Sequence, residues 1–132
     1  MGDGRAQAPA QVMADAADLR RIALALPEAY EDMHRRRPAF RVQARIFAML
    51  GVTGEASLFT SLGWDTVAVV KLDREDQLNM IAAHPDAVQE TETYGHHGWT
   101  YVRLDAIDEE ALATILRLAW THVAPKRLSR AS

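Results

Sequence analysis

The chain contains no cysteine. That absence excludes disulfides, thiolate zinc sites, iron–sulfur clusters and cysteine nucleophiles together. Lysine is nearly missing as well: of the fifteen basic residues only Lys71 and Lys126 are lysine, and the rest are arginine. Aromatic residues make up 7% of the sequence, few for a surface that stacks the bases of a single strand. No apolar run approaches the ~18 residues that a membrane span needs. The opening MGDGRAQAPAQ has no apolar stretch of a secretory signal. Ala6 stands where a myristoylation signal needs Ser or Thr. The chain therefore reads as cytoplasmic and without membrane contact.

What is present suits one domain. The 132 residues are 48% hydrophobic and 25% charged, ordinary for a globular protein with one core. Residues 1–11 are small and polar and read as a flexible tail before a domain over 12–128. The net charge of −3 hides an uneven distribution. Residues 35–45 carry five arginines (Arg35, Arg36, Arg37, Arg41, Arg45) and no acid. Residues 64–110 carry eleven acids against Lys71, Arg74 and Arg103, a local balance of −8. Binding to a polyanion would thus be local rather than driven by global charge.

Hydrophobic spacing predicts an α+β domain with an antiparallel sheet. Val12, Ala16, Leu19, Ala23 and Leu26 recur at helical spacing, so a helix is expected over 12–26, stopped by Pro27. EAYEDMH reads as a short strand. Pro38 argues against a central strand at that point, and a strand is expected from Ala39, with Phe40 and Val42 on one face and Arg41 on the other. RIFAML (45–50) follows as its hairpin partner across Gln43–Ala44. Gly51–Trp64 reads as a loop with a short strand at 57–60. TVAVVKL (66–72) is apolar on both faces and so central. Asp73 caps a helix whose apolar stripe is Leu78, Ile81 and Ala82, ended by Pro85. AVQETETY reads as a strand and YGHHGW as a turn. WTYVRL puts Trp99, Tyr101 and Arg103 on one face. Asp108 caps a last helix with the stripe Leu112, Ile115, Leu116, Ala119 and Val123, closed by Pro125.

Four ordered blocks, LALPEAYEDMHRRRPAFRVQARIFAML, VAVVKLDREDQLNMIAAHP, GHHGWTYVRLDAIDEEAL and LAWTHVAPKRL, resemble the MmcQ/YjbR family of small bacterial proteins. The resemblance spans Leu19 to Leu128. It implies a compact α+β fold of the double-wing kind, whose members are commonly labelled DNA-binding by fold likeness. It carries no catalytic residues to this chain. Two departures stand out: Gln43–Ala44 occupies a hairpin turn where glycine is more usual, and the Gly51–Gly63 loop is long.

Three constellations could bind something. The five arginines, with Lys126 and Arg127 if the C-terminus folds nearby, could grip phosphates as paired forks. Equally, they could be the solvated face of an edge hairpin. Lys71 and Trp99 could form a small anionic pocket through charge and stacking, or be an outward-reaching lysine beside a packed indole. His96 and His97 are adjacent, so on a strand they would face opposite ways and could not share a metal. No nucleophile elbow or phosphate loop is present. The expectation is a non-enzymatic binding module without metal or cofactor, monomeric or weakly dimeric. Its partner would be DNA through the basic hairpin, or else another protein or a small anion.

Overall fold

The structure is a computed structural model that describes residues 12–51 and 65–131. The expected tail over 1–11 and the expected strand at 57–60 lie outside the described residues. The elements run α1 (Ala16–Leu24), β1 (Tyr30–His34), β2 (Arg37–Val42), β3 (Arg45–Leu50), β4 (Val67–Lys71), α2 (Arg74–Ala83), β5 (Val88–Glu90), β6 (Trp99–Arg103), α3 (Glu109–Val123) and α4 (Lys126–Ala131). The strands form one antiparallel sheet of six in the order β1-β2-β3-β4-β6-β5. β4 is central, as its unbroken run of buried valines and alanine requires.

Strand alternation gives the sheet two faces. Phe40, Val42, Ala48, Leu50, Ala68, Val70, Val88 and Val102 turn to the first face and join the main core. α3 packs over β3 and β4 there, and α1 packs on α3. The stripe of α3 is buried as its spacing predicts, and Trp120 fills the centre of the core with its Nε1–H donating to the carbonyl of Pro27 at 3.0 Å. The second face carries Val67, Val69 and Tyr101, with Trp99 against them.

Several boundaries differ from the sequence reading, each for a local reason. α1 starts at Ala16, not at 12, because Asp15 and Asp18 form a reciprocal capping box. Met13 instead bridges to Asp108 as extended chain. α1 also ends before Pro27, at Leu24. β2 begins at Arg37 and contains Pro38, whose partner is Met33 of β1, while pairing with β3 begins only at Ala39. The proline thus sits where β2 lacks a partner on one side, which spares a ladder bond. A bulge between Phe40 and Arg41 lets both Phe47 and Ala48 join the core. In α2 the buried residue is Gln77, whereas Leu78 is 48% exposed and Ala82 is exposed. The strand expected in AVQETETY shrinks to Val88–Glu90. α3 closes at Val123, ahead of Pro125 as expected, and a separate short helix, α4, follows the proline.

Candidate functional site

The second sheet face owes its layout to register. Ala39 pairs with Met49, Met49 with Val69, and Val69 with Tyr101, which lines up one row across β2, β3, β4 and β6. Met49, Val69 and Tyr101 from this row help line a cleft of about 470 Å³. His34 and Arg37, paired across the first hairpin, line it with the turn residue Arg35. The chain leaving β5 supplies Thr91, Glu92, Thr93 and Tyr94, and β6 supplies Trp99.

The charged groups of the cleft are held but not fully satisfied. Arg37 donates from Nη1 to the carbonyl of Gly51 at 3.0 Å. Its Nε is buried and has no partner among the described residues. Burial, and then the charge of Arg35, lower its guanidinium from the usual value, partly offset by Tyr101; an arginine so placed still stays charged. The Tyr101 hydroxyl donates to Glu92 Oε1 at 2.6 Å. The Thr91 backbone N–H donates to the carbonyl of Trp99, but its buried Oγ1 has no partner among the described residues. Arg37 Nε and Thr91 Oγ1 are the only two such buried side-chain atoms among the described residues, and both belong to residues of this cleft.

The aromatic wall is fixed from behind. Gln77 Nε2, fully buried on α2, donates to the Gly95 carbonyl and to Thr100 Oγ1, each at 2.9 Å, and lies 3.3 Å from the Trp99 carbonyl. Gly98 has φ +99°, and its carbonyl accepts from the Leu72 N–H at 2.9 Å. Lys71 donates to the His97 carbonyl at 2.7 Å and stands 5.2 Å from the Trp99 ring centroid. Burial, with the Arg45 charge as a second cause, lowers the Lys71 ammonium from its usual value.

The residues singled out from sequence are therefore split. Trp99 lines the cleft; Lys71 does not, and is engaged in holding the loop that leads to Trp99. The five arginines occupy two different hairpins. Arg35 and Arg36 form the exposed β1–β2 turn, while Arg45 begins β3 after the Gln43–Ala44 turn at the other end of β2. The strand between them spans roughly 20 Å at the usual rise per residue. Arg41 is held by Asp32 at 2.9 Å and by the Ala44 carbonyl. Arg127 reaches Glu28 at 3.4 Å, and Glu28 also accepts from Gln43, so α4 comes to the second turn with one of its charges neutralised. Lys126 is exposed. His96 and His97 lie in a 3₁₀ turn, within the expected YGHHGW turn, with ring centroids 4.0 Å apart. Among the described residues no group of three or more His, Cys, Asp or Glu could hold a metal, and no helix is long and apolar enough to cross a membrane.

Sequence reasoning singled out Arg37 and Trp99 but not their partnership, and it passed over His34, Thr91, Glu92, Tyr94 and Tyr101 as site residues. The alternation in WTYVRL did put Trp99 and Tyr101 on one face. Nothing local says that β6 lies beside β4, or that the chain after β5 borders the same cleft as the first hairpin.

The YjbR family model matches residues 24–122. The chain belongs to that family. In structure it resembles the crystal structure of the Deinococcus radiodurans protein DR2400, which contains the domain called DUF419: TM-score 0.66, 23% identity, covering 95% of this chain and 87% of that one. This likeness extends to the fold. No curated protein matches the sequence significantly.

Proposed function

We propose, for this member of the YjbR family, a non-enzymatic binding module whose cleft takes a small ligand with an oxyanion at one end and a flat apolar body. One observation carries the reading. The two buried side-chain polar atoms left without partners among the described residues, Arg37 Nε and Thr91 Oγ1, belong to residues of one cleft. Buried polar groups are nearly always paired, so such a coincidence asks for a missing partner. An arginine fork suits a carboxylate or phosphate oxygen, and Trp99 and Tyr94 offer flat faces for the rest of the ligand. The cleft volume falls within the ~300–1,000 Å³ range of small-molecule sites. A cysteine-free chain fits action in the cytoplasm. Isothermal titration with 3-phenylpropionate and with phenyl phosphate tests it. Saturable binding of either, lost in Arg37→Gln and weakened in Trp99→Ala, is the expected result. Failure of both probes at millimolar concentration overturns it.

A second reading, DNA held through backbone phosphates, is favoured by one feature of the first hairpin. Arg35 and Arg36 adopt φ +52° and +68°, a turn that prefers Asn-Gly, yet the chain keeps two exposed guanidinium groups there. Anisotropy of a labelled duplex of about 20 base pairs tests this reading. Arg36→Glu/Arg45→Glu is the informative variant because neither residue lines the cleft. Micromolar, salt-sensitive binding that this variant removes would support phosphate contact.

A further inference from the structure

Among the described residues several arginines pair with neighbouring acids. Arg20 holds Glu31 at 2.9 Å, Arg41 holds Asp32 at 2.9 Å, Arg74 holds Glu90 at 3.0 Å and Arg103 holds Asp105 at 2.6 Å. The cleft breaks that habit. Arg35 and Arg37 line it together with Glu92, yet no ion pair joins them. Among the described residues, Glu92 is held only through Oε1, by the Tyr101 hydroxyl, which leaves Oε2 unspent. A carboxylate fixed by one oxygen has its remaining lone pairs aimed by that bond. An acid placed in a cleft that receives an anion would weaken the binding of a purely anionic ligand. It would strengthen the binding of a ligand that also carries a cation.

Tyr94 adds a second observation. It is 61% exposed, so core packing does not account for it, and it borders the cleft with Trp99. The cleft thus offers a cationic group, an anionic group and two aromatic faces within one volume of about 470 Å³.

We propose that the ligand is a small zwitterion of the aromatic α-amino acid class, its carboxylate met by Arg37 and Arg35, its ammonium by Glu92 Oε2, and its ring by Trp99 and Tyr94. The proposal rests on the cleft reading above and narrows it.

The test is calorimetry on the full chain with L-phenylalanine and L-tryptophan, against 3-phenylpropionate, which lacks the ammonium, and 2-phenylethylamine, which lacks the carboxylate. An amino acid is expected to bind at least about tenfold tighter than either analogue, the worth of one charge-assisted bond. Glu92→Gln should erase the advantage over 3-phenylpropionate without weakening 3-phenylpropionate itself, while Glu92→Asp keeps part of it. Circular dichroism confirms that both variants fold. If 3-phenylpropionate binds as tightly as the amino acids, the zwitterion is overturned and the oxyanion cleft stands. If no probe binds, the inference and the cleft reading fall together.

Discussion

Gly98 has little freedom to change. Its φ of +99° is costly for any L side chain, and a Cβ there would lie 2.0 Å from the Leu72 carbonyl oxygen, a backbone atom that cannot step aside. Gly98→Ala should lower stability by about 2 kcal/mol or more in urea denaturation, given the usual cost of strained backbone. Gln77 makes a milder case. Gln77→Leu removes the bonds to the Gly95 carbonyl and Thr100 Oγ1, which keep their bonds to the Gly98 N–H and carbonyl, and should cost about 1 kcal/mol. It should also loosen the loop bearing Tyr94 and Trp99, read as weaker probe binding. Lys71 gives a pH signature. Its proton is held less tightly in the folded than in the unfolded chain, since burial and Arg45 lower it. The penalty is therefore present in full at neutral pH. It is relieved as pH rises through the folded midpoint toward the ordinary lysine value of about 10.4. An NMR titration of the Lys71 ε-methylene should give a midpoint below that value, and Arg45→Gln should raise it. Some of these single-residue roles were invisible in the sequence. Gln77 looks like a surface position because its burial depends on carbonyls eighteen and more residues away. The glycine after His97 reads only as a turn.

At the scale of elements, strands and the last helix were legible where local chemistry agreed with packing. The run of β4, the alternation of β6 and the stripe of α3 each say which side is buried. Legibility failed where a tertiary partner outvoted the local pattern. α2 turns Gln77 inward and leaves Leu78 in water because polar satisfaction of the Gly95–Thr100 segment decides the helix's rotation. Pro125 follows the end of α3 as expected, but proline is also a favoured start, and the short helix α4 after it has no signal in the apolar spacing. Both hairpin turns use positive φ at non-glycine residues: Arg35 and Arg36 in one, Gln43 and Ala44 in the other. The departure noted at Gln43–Ala44 is thus a cost the chain carries. Ala44→Gly should raise stability by about 0.5–1 kcal/mol, since glycine adopts φ +68° without penalty. A thermal melt reads this directly, and an unchanged or lowered midpoint would contradict it.

For the whole molecule, the antiparallel α+β fold could be read from one sequence, but the cleft could not. It exists only once the sheet order brings β6 beside β4 and the first hairpin opposite the chain after β5. The same order separates the arginines that stand together in sequence: Arg41 goes to Asp32, Arg37 to the cleft, and Arg36 and Arg45 to opposite ends of β2. Of the acids of 64–110, Asp73 and Asp108 cap helices, Glu90, Asp105 and Glu109 form ion pairs, and Glu92 is bound by Tyr101. Among the described residues six arginines are held in ion pairs, while Arg35, Arg37 and Glu92 line one cleft without pairing with each other. The most direct test of that cleft is the proton–nitrogen correlation spectrum of the arginine Nε–H groups during titration with 3-phenylpropionate. The Arg37 signal, identified by its loss in Arg37→Gln, should move saturably while those of Arg41 and Arg127 stay still. An Arg37 signal that stays fixed at tens of millimolar probe, or that moves no more than the signals of the surface arginines, would contradict the account.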